Sequence, residues 1–153
     1  MKDITIRSPQ DIFSVLINWK GRRQENFIAV TLNGNRKVIK IHHITKGLVN
    51  KTIVHPRECF FHAIKDYASA IIFAHNHPSG KNEPSPEDDK LTERLCMSGT
   101  ILGITVLDHV ILTKKDGFYS YRSENKIIDD YPDHSTKEFV ASIAAEDYER
   151  GSK

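Results

Sequence analysis

Residues 69–99 hold an apolar run, Ala70-Ile71-Ile72-Phe73-Ala74, then His75-Asn76-His77-Pro78-Ser79-Gly80, a polar loop, and Ser85-Pro86-Glu87-Asp88. The run is short, β-branched and aromatic, and it meets a Pro-Ser-Gly turn, which predicts a buried strand over 69–76. On a strand, alternate side chains leave the same face with Cα atoms about 6.5–7 Å apart. His75 and His77 therefore share a face at the strand's mouth, close enough to converge on one metal ion, while Asn76 points the other way. Ser85, Pro86 and Asp88 make a helix start, with an N-cap, a proline at the first helical position and an acid in the first turn. Helical side chains lean toward the N-terminus, so Asp88 reaches back over the helix entrance.

Two neutral imidazoles and a carboxylate leave one coordination position open, which distinguishes catalytic zinc sites from closed structural ones. A water there has its pKa lowered to about 7, and a base must still move its protons. Each residue also has a plain structural role: Asp88 and Ser85 suffice as caps, and single histidines commonly pack or face solvent. The weight falls on the joint pattern of His-x-His at a strand end, a turn, and Ser-x-x-Asp at the next helix start.

His75-x-His77-x7-Ser85-x2-Asp88 resembles the JAMM (MPN+) metalloprotease signature, and His75-Asn76-His77-Pro78-Ser79-Gly80 followed by Pro84-Ser85 resembles the RadC family in particular. The likeness extends to Leu107-Asp108-His109-Val110-Ile111 and His55-Pro56-Arg57-Glu58, and covers roughly residues 24–122. The resemblance implies zinc ligation by His75, His77 and Asp88, and oxyanion stabilisation by Ser85. It also implies a catalytic glutamate on an earlier strand. Glu25, the only acid between Asp11 and Glu58, stands at the start of a predicted strand where that base belongs. Asp108 and His109 match the family and are expected to position the site through hydrogen bonds.

Ser8-Pro9-Gln10-Asp11 repeats the helix-start chemistry, and Ile12, Phe13, Val15, Leu16 and Trp19 predict an amphipathic helix over 9–20. Lys20, Arg22 and Arg23 follow as a basic corner. Strands are expected over 25–32 and 38–44, joined by an Asn33-Gly34-Asn35 turn. His42 and His43 fall on the second; as strand neighbours they face opposite ways, so both read as structural or surface residues, with His42 the alternative base should Glu25 lie too far away. A helix from His55 to about Tyr67 carries Phe60, Ile64 and Tyr67 at helical spacing. The helix from Ser85 to about Leu102 carries Leu91, Leu95, Met97 and Ile101, with Gly99 and Gly103 bracketing its end. A strand over 104–113, a turn at 114–117 and a strand over 118–122 follow. Ser135-Thr136-Lys137-Glu138 opens a last predicted helix to about Arg150.

This order predicts an α/β fold, a mixed β-sheet flanked by helices, in agreement with the JAMM/MPN (cytidine deaminase-like) fold that the resemblance implies. The expected organisation is an N-terminal helix at 1–24, a RadC-like JAMM domain at 25–125 and a C-terminal extension at 126–153. With 153 residues, 27% charged and a net charge of +2, neither disorder nor a general nucleic-acid field is indicated. No run approaches the roughly 20 apolar residues that span a bilayer, and no signal-peptide core opens the chain, so a soluble, cytoplasmic protein is expected. Cys59 and Cys96 lack Cys-x-x-Cys spacing and read as buried reduced thiols.

Two functions stay open. One is a Zn2+-dependent hydrolase of a peptide or isopeptide bond in a protein or peptide substrate. The other is a non-catalytic JAMM-like binding module in DNA repair or a mobile element. The family link implies DNA repair, yet the Gly-rich hairpins of a helix-hairpin-helix module are missing from this sequence. A ferrous oxygenase also uses two histidines and a carboxylate, in a His-x-acid order different from the one here. Substrate and oligomeric state are not encoded in any motif.

Overall fold

The computed structural model describes residues 3–46, 54–115, 117–127 and 129. Its elements run α1 (Pro9–Val15), a 3₁₀ turn (Ile17–Trp19), β1 (Asn26–Leu32), β2 (Val38–Lys46), α2 (Pro56–Lys65), β3 (Ala70–Asn76), α3 (Pro86–Leu102), β4 (Thr105–Leu112) and β5 (Phe118–Ser120). Among the described residues the five strands form one sheet in the order β2-β1-β3-β4-β5. β1 is antiparallel to both neighbours, β3 and β4 are parallel, and β5 returns antiparallel to β4. The fold is therefore α/β with a mixed sheet. Parallel strands need a crossover, and α3 supplies it between β3 and β4, so the end of β3 and the start of α3 lie at one end of the sheet.

β1 and β3 are buried along their whole length, which is why their sequences read as continuous apolar runs. One sheet face carries Phe27, Ala29, Ile71 and Phe73 against Cys59, Phe60 and Ala63 of α2 and Leu91, Leu95 and Cys96 of α3. The other carries Ile28, Val30, Ile72, Ala74 and Val110 against Ile12 of α1 and Leu16 at its C-cap. Both cysteines are free and buried, and burial pushes the Cys59 thiol up to about 12. No described helix is long and apolar enough to cross a membrane.

Several local expectations are corrected. The helix expected over 9–20 breaks after Val15 into the 3₁₀ turn. Three residues per turn put Leu16 and Trp19 on one side, and both pack toward the same sheet face. The β1–β2 connection spans residues 33–37, and its left-handed residue is Arg36 (φ 60°), not Gly34. Asn33 Oδ1 accepts the backbone N–H groups of Asn35 and Lys37 and closes the loop itself. The buried stripe of α2 is Cys59, Phe60 and Ala63, whereas Ile64 and Tyr67 are exposed. The small side chains of Cys59 and Ala63 are what let that helix settle on the sheet. Ile101 of α3 is exposed too. The predicted helix over 135–150 and the loop over 47–52 lie outside the described residues, as does Asp116 of the 114–117 turn.

Gly103 terminates α3 in the left-handed region (φ 71°), but Gly99 sits inside the helix for a different reason. A Cβ on Gly99 would stand 2.4 Å from the Ile104 carbonyl oxygen and 3.0 Å from Val106 Cγ2. Gly99→Ala is expected to lower stability by about 1–3 kcal/mol, the usual range for overpacking, read from the urea midpoint at unchanged m-value.

Candidate metal centre

His75 is the penultimate residue of β3, and His77 follows the strand while its N–H still donates to Leu112 of β4 at 3.0 Å. Alternation puts both imidazoles on the α2/α3 face, as their spacing predicts. At the start of α3, the Ser85 hydroxyl accepts from Asp88 N at 3.1 Å and the Asp88 carboxylate accepts from Ser85 N at 2.8 Å, a complete capping box. The same carboxylate, wholly buried, faces the two rings. Its Oδ1 lies 3.2 Å from His75 Nε2 and its Oδ2 3.2 Å from His77 Nε2. The cap and ligand readings of Asp88 are thus compatible: one side chain has the geometry for both.

The two ring nitrogens, His75 Nε2 and His77 Nε2, are 3.0 Å apart. His77 Nδ1 lies 2.9 Å from the Lys81 carbonyl oxygen, which can only accept a proton. Nδ1 is therefore the protonated nitrogen, and Nε2 turns its lone pair into the cluster. Glu25 Oε1 stands 3.9 Å from His75 Nε2, outside the tight triangle, with its side chain 18% exposed. Donor atoms of Glu25, His75, His77 and Asp88 all lie within 4.8 Å of one another.

This donor set fits a metal ion. Ligand atoms held about 2.0–2.2 Å from a tetrahedral ion stand about 3.3 Å apart, close to the 3.0 Å between the two ring nitrogens and the 3.2 Å from each of them to one or other Asp88 oxygen. Imidazole nitrogen and carboxylate oxygen are borderline-to-hard donors suited to zinc and its first-row neighbours.

Glu25 precedes β1 and is held in place from the other side of the sheet. Phe27 is the register partner of His75, so Glu25, two residues earlier, stands on the same face at the level of His77. Asn76, buried and pointing away from the ligands, accepts from Asn26 N at 2.7 Å and donates to the carbonyls of Gln24 at 2.9 Å and Arg22 at 3.2 Å. The strand that presents the two histidines also grips the backbone on either side of Glu25.

Asp108 and His109, adjacent on β4, diverge. Asp108 faces the α1 side, where Oδ2 accepts from the Ser120 hydroxyl at 2.6 Å and Oδ1 from the backbone N–H groups of His109 and Arg122. Burial raises its pKa against the opposing pull of these bonds. His109 is wholly buried on the ligand side, its Nε2 2.8 Å from His75 Nδ1. Tyr121 stacks on it with ring centroids 5.2 Å apart and donates to Asp89 Oδ1 at 2.8 Å. Burial, then the bond to Asp89, holds the Tyr121 hydroxyl protonated by pushing its pKa up.

His42 and His43 face opposite ways. His42 Nε2 lies 2.6 Å from Asp66 Oδ2, and its ring stacks on His62 at 4.2 Å. Exposed His43 sits by Trp19, ring centroids 5.1 Å apart. Neither belongs to the four-donor cluster. Sequence reasoning left Thr92 and Tyr121 unassigned and gave Asn76 only a direction. Their partners are 17, 32 and 50 residues away, and only Thr92 carried a local hint, one helical turn after Asp88.

Comparison with known proteins matches the profile of the RadC-like JAB domain to residues 6–127, so the matched region includes α1. A UPF0758 protein of Methanospirillum hungatei is 50% identical over 113 residues, covering 72% of this chain and 50% of its own length. UPF0758 proteins of Caldanaerobacter subterraneus and of a Picosynechococcus species are 43% and 44% identical over 128 and 132 residues, covering 78% and 84% of this chain and 55% and 53% of their own. The chain spans about half the length of these curated relatives. Elemental analysis of protein purified without chelators is expected to give about one metal ion per chain, lost in His77→Ala and in Asp88→Ala.

Proposed function

The chain belongs to the RadC-like JAB domain family, and on that premise we propose that its cluster holds zinc and hydrolyses a peptide or isopeptide bond in a protein or peptide substrate. The observation that carries the reading is the division of labour among four donors. The ring nitrogens of His75 and His77 stand 3.0 Å apart with one Asp88 oxygen 3.2 Å from each, as ligands of one ion do, and the carboxylate of Glu25 stands farther off, 3.9 Å from His75 Nε2.

His75, His77 and Asp88 would hold the ion. When bound, zinc polarises a carbonyl oxygen and lowers the pKa of its water to about 7. Glu25 accepts a proton from the attacking water and returns it to the leaving amine nitrogen, the dual duty of a general acid–base group. The Ser85 hydroxyl, whose oxygen already accepts the Asp88 N–H, still has its own proton to donate to the oxyanion that develops on the substrate carbonyl. Asn76 fixes the backbone that carries Glu25, and Asp108 fixes the backbone of His109. The tie to DNA repair is carried by family resemblance, since a net charge of +2 supplies little field for nucleic acid.

The test is Glu25→Gln, assayed with zinc-loaded protein on a panel of fluorogenic peptides and isopeptide-linked conjugates. Zinc content is expected to stay at wild-type level while turnover falls about 10²–10⁴-fold, the usual worth of a positioned acid–base group. Surviving turnover removes Glu25 from the role of base. A zinc-loaded wild type inert across the panel assigns the chain to the non-catalytic binding-module class.

A further inference from the structure

We infer that Thr92 is a positioning residue for the metal centre: through His109, its hydroxyl dictates which nitrogen of His75 is offered to the ion. The inference rests on the reading that His75, His77 and Asp88 form a metal site, and it adds a residue outside that ligand set.

The hydrogen bonds are all satisfied when the Thr92 hydroxyl, which also neighbours the Tyr121 side chain, donates to Asp88 and every other proton runs in one direction. Thr92 Oγ1 is 2.7 Å from the backbone oxygen of Asp88 and 2.6 Å from His109 Nδ1. A carbonyl oxygen has no proton to give, so the single hydroxyl proton of Thr92 is committed to Asp88. The contact with His109 must then run the other way, with Nδ1–H donating to the hydroxyl oxygen. A neutral imidazole protonated at Nδ1 carries its lone pair on Nε2, and that nitrogen lies 2.8 Å from His75 Nδ1. His75 Nδ1–H fills this acceptor. His75 Nε2 is left with its lone pair facing His77 and Asp88, as a metal ligand requires.

The chain of bonds closes on itself. It leaves one ligand, His75, passes through His109 and Thr92, and returns to the backbone of another ligand, Asp88. Metal-bound histidines usually give their second N–H to a carboxylate, a carbonyl or water. Here the acceptor is another imidazole, which can act as donor or acceptor, so something further must fix its direction. Thr92 does that. It is 2% exposed and His109 is wholly buried, so water has little access to substitute for the hydroxyl. The His109 ring cannot readily rotate away, because Tyr121 stacks on it and Phe27 meets it edge-on, with ring centroids 5.2 and 5.6 Å away.

Thr92→Val keeps the shape and removes the hydroxyl. His109 Nδ1–H then loses its acceptor, and the ring is relieved by moving the proton to Nε2. A donor then faces His75 Nδ1, which drives the His75 proton onto Nε2, where it blocks the ion. Zinc affinity, measured by competition with a chromophoric chelator, is expected to fall about 10–100-fold, the usual cost of losing a partner of a metal ligand. Thr92→Ser, which keeps the hydroxyl, restores wild-type affinity. Nitrogen-15 NMR of the imidazoles in the metal-free protein reads the relay without any metal: His109 carries its proton on Nδ1 in wild type and in Thr92→Ser, and on Nε2 in Thr92→Val. Equal zinc affinity in Thr92→Val and wild type overturns the inference, as does a wild-type His109 protonated at Nε2. A wild type that binds no zinc while His109 keeps its proton on Nδ1 refutes the metal reading and, with it, the role of Thr92 toward an ion.

Discussion

The buried carboxylate of Asp88 is the constraint around which this end of the molecule is built. Taking an ionised carboxylate wholly out of water costs roughly several kcal/mol unless it is paired and hydrogen-bonded, and Asp88 has no exposed surface. The backbone N–H of Ser85 satisfies part of it by closing the first turn of α3, and the helix N-terminus adds a favourable dipole. Its two oxygens also lie against the ring nitrogens of His75 and His77. A cation among these donors neutralises the carboxylate and uses the inward lone pairs, so folding and metal binding favour the same arrangement.

The topology makes that convergence inexpensive. Because α3 is the crossover between two parallel strands, the β3 end that carries the histidines and the α3 start that carries Asp88 arrive at one place with a short loop between them. Glu25 arrives on the residue just before β1, the antiparallel neighbour. Strand alternation then lets β3 work on both sides of the sheet, with the histidines turned toward Asp88 and Asn76 turned away to hold residues 22–26. The backbone around Glu25 is held by three hydrogen bonds with the buried Asn76 amide.

What was legible in the sequence follows the range of the interaction. His75 and His77 are two residues apart and Asp88 opens the next helix, so period and capping chemistry point to the convergence of these three donors from a single window. The order of strands and helices follows from runs and turn signals in the same way. Glu25 is different: nothing in its own neighbourhood sets it apart, and its place in the cluster is anticipated only by resemblance to a family pattern. Thr92, Asn76 and Tyr121 act through partners that only the fold brings close. The α2 stripe was misassigned for a related reason, since Cys59 and Ala63 look unremarkable in the sequence and their small size matters only against the sheet. Gly99 looked like a helix end and is a point of close approach to the backbone of Ile104.

The central claim is that His75, His77 and Asp88 share one ion with Glu25 held beside it. Its most direct test is diffraction at and just below the zinc absorption edge from crystals of zinc-loaded protein. A single strong anomalous peak is expected about 2.0–2.2 Å from His75 Nε2, His77 Nε2 and an Asp88 carboxylate oxygen, present above the edge and lost below it, with Glu25 outside bonding distance. A peak elsewhere, or none among these three residues in crystals grown with zinc, would contradict it.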